Sequence, residues 1–567
     1  MSTKFATKTG RVAAGGSLLV GGVAGALVLA PEAGAATTFH VTTTSDSGAG
    51  SLRQAVLDAN SNPGDDIIVF DASSAGTITL TTGQIVISDD VTITGLGATS
   101  SIISGNNASR IFYIYNFDAS LTVSISGVTM TEGWSKAGGA IVNWGNDLTL
   151  SGVVLSGNET NGRGGAIHSE RSSSQNTDRY APVTIIDSEI SNNTSDGNGG
   201  GLDLYYTGDV TITNTVISGN TSSGGSGGGA NFHEVGNVSI ENSTVSGNSS
   251  FYSGGGVKVS YAGNISIANS SFRSNETVYY AGGGGAFIQQ ANDVSIDSTT
   301  FDQNEATGDG GALYATNSDS FTMTNSTVSG NHAVDGAGLE LGKNGDVLIA
   351  NSTIANNVGN PVYGSGSALY SWESTGDMRV IFCTISGNST NGATVLLRSD
   401  SPYTIGIMGT IISDNTTQEG SGTRAVDLYL AGLYESTAAV SATTVTSSLI
   451  MGSASGTPFT DGGGNYSGVS AQLGALADNG GATFTMEPAA GSPVIDAGPL
   501  TLPALFPGAN FDQRGTPFVR GYNGRPDMGA LEVQTDPTAT TTTTIATGAG
   551  DTTTTVGTDP VVPAFTG

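Results

Sequence analysis

The stretch Gly227–Asn248, GGGANFHEVGNVSIENSTVSGN, decides the fold. Glycines open it. Three short alternating runs follow: Ala230 and Phe232, then Val238 and Ile240, then Val245. Alternation over four to six residues is the mark of a half-buried strand, one face in and one face out. The stretch closes on Ser-Gly-Asn, and that tag or a close variant returns along the chain. Its asparagine falls at Asn158, Asn193, Asn220, Asn248, Asn275, Asn304, Asn331, Asn357, Asn388 and Asn415, at steps of 26 to 35 residues and most often 27. A fixed period in this range signals a solenoid, whose units bury their apolar faces against one another. No unit has apolar residues at helical spacing. The pattern predicts an all-β chain, a right-handed parallel β-helix solenoid of about 12–14 coils, with a rod length on the order of 60 Å.

The turns fit that reading. An Asp or Asn precedes the second run at Asp147, Asp209, Asn237, Asn264, Asp293, Asp346 and Asp377, and an Asn follows it at Asn214, Asn242, Asn269, Asn325 and Asn351. Such residues tolerate left-handed backbone and bond their own turn. Stacked coil on coil, their amides can form ladders. Glycine clusters precede the first run, which accounts for 85 glycines in 567 residues without invoking disorder. The same register predicts two inward columns. One holds Ala140, Ala166, Leu202, Ala230, Val257, Ala286, Ala312 and Leu339; the other holds Val142, His168, Leu204, Phe232, Val259, Ile288, Tyr314 and Leu341. His168 is read there as a satisfied core or near-core histidine rather than a ligand.

Outside the repeats the text changes. Residues 1–35 read as a signal peptide: Lys4, Lys8 and Arg11 lead into an apolar stretch, and Ala33-Gly34-Ala35 offers a cleavage site. Residues 36–72 form an N-terminal cap. In it Ser51-Leu52-Arg53-Gln54 reads as a capping box, opening a short helix with Leu52, Ala55, Val56 and Ala59 on its apolar face. Residues 73–470 carry the repeats, and 471–533 make a C-terminal module expected to cap that end. The Thr-rich segment 534–567 cannot bury a core and reads as a stalk. No later apolar run is long enough to span a membrane. Cys383 is the only cysteine, so an internal disulfide and a Cys-ligated metal are excluded. The net charge of −30 disfavours nucleic acid and other polyanionic partners.

The start of the mature sequence, FHVTTTSDSGAGSLRQAVLDANSNPGDDIIVF, resembles the CSLREA module, with Gly50 in place of that family's cysteine. The end resembles a choice-of-anchor Q domain, on GSPVIDAG (Gly491–Gly498), DQRG (Asp512–Gly515) and DMGALE (Asp527–Glu532). Between them the chain is similar to bacterial β-helix repeat proteins of pectin-lyase-like fold. The resemblance implies a secreted or surface-attached protein and names no chemistry.

β-Helix proteins that act on polysaccharides use the outward face of one sheet. Most outward rows of the first run are bland, such as Ile141/Asn143, Ile167/Ser169 and Leu313/Ala315. The middle rows carry Asp203 and Tyr205, Asn231 and His233, then Lys258 and Ser260, with Tyr206, Glu234 and Tyr261 at the run ends. An insertion at residues 170–182 adjoins them, and long insertions in solenoids often sit on the binding face. Asp203, Tyr205, Tyr206, His233, Lys258 and Tyr261 are candidate ligand-binding residues, and Asp203, Glu234, His233 and Lys258 candidate catalytic ones. Outward positions of any strand are polar in water, so a plain solvated face explains the same column. The chain shows no Asp-Asp pair with a downstream Gly-His-Gly and no Arg in this column. The expectation is a monomeric, secreted or surface-attached rod, an adhesin or cell-envelope protein without catalysis, with glycan or cell-surface components as partners. The alternative is a protein that binds or degrades extracellular polysaccharide at the Asp203–Lys258 patch. No cofactor and no defined metal site are expected. The acidic surface predicts weak stabilisation by calcium, with loops at Asp196 and Asp309 as the best places and no Gly-Gly-x-Gly-x-Asp run to hold the ion.

Overall fold

One repeat makes one coil. The computed structural model describes residues 36–116, 120–171, 180–360, 364, 366–398, 404–417, 426–431, 442–456, 459–501 and 510–534. The expected signal peptide, most of the 170–182 insertion and the Thr-rich stalk beyond 534 lie outside the described residues. In the coil that begins at Ala230, the first run is a strand of sheet I (Ala230–Val235), the second of sheet II (Val238–Glu241) and the third of sheet III (Thr244–Ser246). A two-residue strand after the tag, Ser249–Ser250, adds a short sheet IV that the three-run reading lacks. Each strand pairs in parallel with its equivalent one coil on. Sheets I, II and III have 14, 16 and 15 strands, and sheet IV comes in pieces of six and four. The 14 strands of sheet I agree with the 12–14 coils expected.

The core is a stack of like side chains. Sheet II contributes pairs such as Val238 and Ile240 over Ile265 and Ile267, all buried. Sheet III contributes Val245, Phe272 and Phe301, the two phenyl rings stacked at 4.8 Å. In sheet I the register differs from expectation in three coils. The inward column is Ile141, Ile167, Leu202, Ala230, Val257, Ala286, Leu313 and Leu339. Ala140, Ala166 and Ala312 precede it. They fill the third place of the corner, where other coils have Gly201, Gly229 or Gly285, and either residue fits there. The slip of one residue turns Val142, His168 and Tyr314 outward and Asn143, Ser169 and Ala315 inward.

A second ladder runs inside the rod. The tag asparagines from Asn158 to Asn388 are enclosed, and each Nδ2 among them donates to Oδ1 of the next at 2.9–3.0 Å. The same Oδ1 also accepts the preceding tag's backbone N–H, as in Asn248 N to Asn275 Oδ1 at 3.1 Å. The tag therefore satisfies backbone groups at a corner with no access to water. The turn residues around sheet II behave as expected. Asn237 N donates to Asp209 Oδ1 at 2.7 Å, Asn264 N to Asn237 Oδ1 at 2.9 Å, and Asn242 and Asn269 have φ near 50°.

At the N-terminal end, helix α1 (Leu52–Ala59) is capped by Ser51, whose Oγ accepts from Gln54 N at 3.2 Å. Its buried face is the one expected: Leu52, Ala55, Val56 and Ala59. Among the described residues no helix is long and apolar enough to cross a membrane.

The 471–533 segment, expected as an end cap, braces the flank of sheet III. Ala471, Val494, Ala497 and Met528 pack with Ile411 and Leu449. From there the segment reaches back: Ala530 N donates to Thr384 Oγ1 at 3.0 Å, Thr353 Oγ1 to Gln513 Oε1 at 2.6 Å, and Thr327 Oγ1 to Phe484 O at 2.6 Å. The residues of its three short motifs bind backbone. Asp512 accepts from Glu532 N, Glu532 from Tyr522 N and Asp527 N, and Asp527 from Asp496 N and Val533 N. Arg514 pairs with Asp512 at 2.6 Å, and Arg520, fully enclosed, lies over the Phe382 ring at 4.0 Å. Burial pushes the Asp527 carboxyl up to about 6 and the Glu532 carboxyl up to about 7, with mutual repulsion adding to the second and Arg520 opposing both.

Those carboxyls bind more protons when the brace is docked than when it is free. Stability therefore falls as pH rises from the free carboxylate range through about 7. A shift of two pKa units corresponds to about 100-fold in the opening equilibrium. Hydrogen exchange at 510–534 is expected to speed up by at least tenfold from pH 5 to pH 8, after correction for the intrinsic rate, while coils 230–300 hold constant. Equal protection at both pH values would contradict this.

Candidate functional site

The three faces of the rod differ in chemistry. The outward column of sheet II is threonine or serine at every coil from Thr92 to Thr322, and Leu348 and Arg379 follow. Sheet III is covered by the brace along its later coils. Sheet I carries rings. One outward row runs Tyr113, Val142, His168, Asp203, Asn231, Lys258, Phe287, Tyr314, Glu340, Tyr370, Leu396 and Tyr429. The second outward row includes Trp144, Glu170, Tyr205, His233, Ser260 and Trp372. Two of the chain's three tryptophans thus lie on this one face.

The first row is recessed. From Gly138 to Gly336 the left-handed corner glycine of each coil packs close to the residues three and four places on. A Cβ on Gly227 would stand 2.8 Å from Asn231 Cβ, and one on Gly336 would stand 2.6 Å from Glu340 Cβ. No other residue fits there, so the corner backbone walls one side of a groove. Asp203, Asn231 and Glu340 are buried although they point outward.

The predicted patch resolves into two layers. Below, Asp203 is fully buried. It accepts from His168 Nδ1 at 2.9 Å and from Asn231 Nδ2 at 2.7 Å, and His168 Nε2 donates to Glu170 at 3.2 Å. Burial alone would lower the His168 imidazole, but the bonds to Asp203 and Glu170 outweigh it and push its pKa up to about 9. His168 is satisfied, as expected, but in an outward row rather than in the core. Asp203 has both oxygens committed and serves the groove floor. Lys258 Nζ reaches Ser226 Oγ at 3.3 Å, and burial lowers its pKa.

Above lies an accessible aromatic step. The Tyr205 ring and the His233 imidazole stack at 4.9 Å and 7°, and Tyr261 meets His233 edge-on at 5.3 Å. Tyr206 meets Tyr205 edge-on at 4.3 Å, and Arg163 stands over Tyr205 at 5.4 Å. Burial lowers the His233 pKa, with Lys258 and Arg163 adding to the effect and Glu234 opposing it. Tyr206, Glu234 and Tyr261 sit at φ of 52°, 50° and 58°, the left-handed place just after the strand in the first and within its last residues in the other two. That conformation costs a bulky residue on the order of 1 kcal/mol, and it belongs to the turn of the repeat, since Gln290, Asn317, Lys343 and Glu373 share it at the same place of later coils. Glu234 lies 3.6 Å from His233 Nε2, at the rim.

The sequence reading missed the rest of the track. Phe287 and Tyr314 stack at 5.0 Å and 1°, Arg398 stands 5.9 Å from the Tyr370 ring, and Lys343 stands 5.2 Å from the Trp372 ring. The signal was present: each of these row positions falls four residues after a corner glycine, as Gly283 to Phe287, Gly310 to Tyr314 and Gly366 to Tyr370. Of the two loops proposed for cations, Asp196 accepts from Ser223 Oγ at 3.1 Å, while Asp309 sits beside Asp335. Among the described residues no group of three or more His, Cys, Asp or Glu is placed to hold a metal ion.

Comparison with known proteins adds the hand of the helix. A family model described as "Right handed beta helix region" matches residues 228–417, so the repeats of that stretch are similar to right-handed β-helix proteins. No curated protein matches it. Among solved structures it is similar to the crystal structure of pectate lyase Pel9A, at 13% identity over 88% of this chain and 97% of that one, with a TM-score of 0.29. A likeness that distant transfers no residue and no reaction.

Proposed function

We propose that this chain is a secreted or surface-attached rod that binds an extracellular polysaccharide along the outward face of sheet I. The observation that carries the reading is the placement of rings: they recur along the groove of sheet I from Tyr113 to Tyr429, whereas the matching column of sheet II carries no ring, being serine or threonine as far as Thr322 and then Leu348, Arg379 and Gly406. Sugar rings present apolar faces that stack on aromatic side chains and hydroxyls that bond polar neighbours. Neighbouring coils repeat at about 4.8 Å, close to the length of one pyranose unit in an extended chain. A flexible polymer laid along the axis can thus meet one ring system per coil, and many weak contacts add to useful affinity. The rod's net charge of −30 favours neutral over polyanionic glycans.

A glycan array probed with the full chain tests this. Retention on extended polysaccharides, with affinity rising with chain length until the track is filled, is the expected result. No retention on any polysaccharide, with protein ligands captured instead, would overturn it.

A further inference from the structure

Between Tyr314 and Tyr370 the aromatic row is interrupted by an acid. Glu340 takes the ring position and is 3% exposed. Its Oε1 accepts from Trp372 Nε1 at 2.9 Å, and its Oε2 is enclosed with no hydrogen-bond partner. The indole reaches it by lying across Gly342, where a Cβ would stand 2.5 Å from the ring. The corner above holds two more carboxyls, Asp309 and Asp335, paired in register one coil apart and half-buried. Their charges act on Glu340, on Tyr314 from Asp309 and on Tyr370 from Asp335. An enclosed oxygen without a partner, within electrostatic reach of a carboxyl pair and in the middle of the row of rings, marks a place built for more than packing.

We propose that Asp309 and Asp335 hydrolyse a glycosidic bond of the polysaccharide held on sheet I, with retention of anomeric configuration. This rests on the glycan-binding reading of that face. Retention follows from the spacing. Equivalent side chains on neighbouring coils lie about 4.8 Å apart, which fits the roughly 5–5.5 Å of a retaining pair and not the 6.5–9.5 Å of an inverting one. The roles follow from the surroundings. Burial, then repulsion from Asp335, pushes the Asp309 carboxyl up to about 6, so Asp309 is the group that keeps a proton. In the first step the Asp335 carboxylate attacks the anomeric carbon. The bond to the leaving oxygen breaks as Asp309 gives that oxygen its proton, leaving a glycosyl ester on Asp335. In the second, the Asp309 carboxylate takes a proton from water, whose oxygen displaces Asp335 from the same carbon. One water is consumed and one new reducing end is formed.

The test uses the full chain and whichever polysaccharide the array retains. New reducing ends are expected, with the product anomer matching the substrate by NMR. Asp309→Asn and Asp335→Asn should each lose at least 100-fold in cleavage while binding within about threefold of the parent, and Asp196→Asn should cleave normally. Azide should restore turnover to Asp335→Gly and leave a glycosyl azide of inverted configuration, which a merely misfolded variant could not yield. A glycan bound but not cut would overturn hydrolysis and leave the binding reading intact. An inverted product would overturn the assigned pair. Absence of any bound glycan would remove both readings together.

Discussion

Replacing Asn275 with leucine is expected to be among the most damaging single changes in the rod, costing about 3–5 kcal/mol. The side chain is fully enclosed, and its Nδ2 donates to Asn304 Oδ1 and to Val245 O, each at 2.9 Å. Its Oδ1 accepts both the backbone N–H of Asn248 at 3.1 Å and the Asn248 amide at 2.9 Å. Leucine matches the volume but leaves the Asn248 N–H and the Val245 carbonyl without partners in a place water does not reach. Each such orphan costs about 1–3 kcal/mol, far more than the net worth of the bond it made. Asparagine supplies donor and acceptor at once. Aspartate would set a carboxylate against the Val245 and Asn304 acceptors and should do worse. Ser239→Ala, on the outward face of sheet II, should cost under about 0.5 kcal/mol. Urea denaturation of the three variants decides it. A loss at Asn275→Leu no larger than at Ser239→Ala would mean that the ladder is incidental to stability.

Most of the architecture was legible because a parallel solenoid writes its geometry into one short period. The tag asparagine, the Asx turns around sheet II and the N-cap at Ser51 each follow from local physics, and each appears where expected; the capping box is only half made, because Gln54 turns its amide to Asp58 and the Ser51 N–H goes to Gly48 O. The register of sheet I was legible only in part. Counting from the last corner residue works when that residue is glycine, as at Gly229, and slips by one when it is alanine, as at Ala140, Ala166 and Ala312. Counting four from the left-handed corner glycine works in every coil from Gly138 to Gly336, although in the run Gly282–Gly285 that glycine is the second, Gly283. The candidate patch was legible as a face but not in depth. Asp203 reads from sequence as an outward acid. It is buried because a glycine corner closes over its row and His168, from the coil before, binds it. Tyr314 was lost to the same slip that misplaced His168. The acids of the motifs at Asp512–Gly515 and Asp527–Glu532 hold backbone within the brace. No local pattern announces that role, because the groups they bind belong to distant turns.

The second large effect concerns the face itself. Tyr205, Tyr314 and Tyr370 sit on three well-separated coils of the same groove, each partly accessible. A ring stacked on a sugar contributes about 1 kcal/mol beyond the area it covers, and three such losses at independent places add to about 100-fold in affinity. The matched control removes hydroxyls from the other face: Thr211→Ala, Ser239→Ala and Thr322→Ala together. All six positions point away from the core, so neither triple variant should move the thermal melt by more than a few degrees. The direct test of the sheet I reading is isothermal titration of the parent and the two triple variants with the array-selected polysaccharide. The expected result is a loss of about 100-fold in the tyrosine variant, with the hydroxyl variant within about twofold of the parent. Equal losses in the two variants, or full affinity without the tyrosines, would show that the glycan does not lie along sheet I.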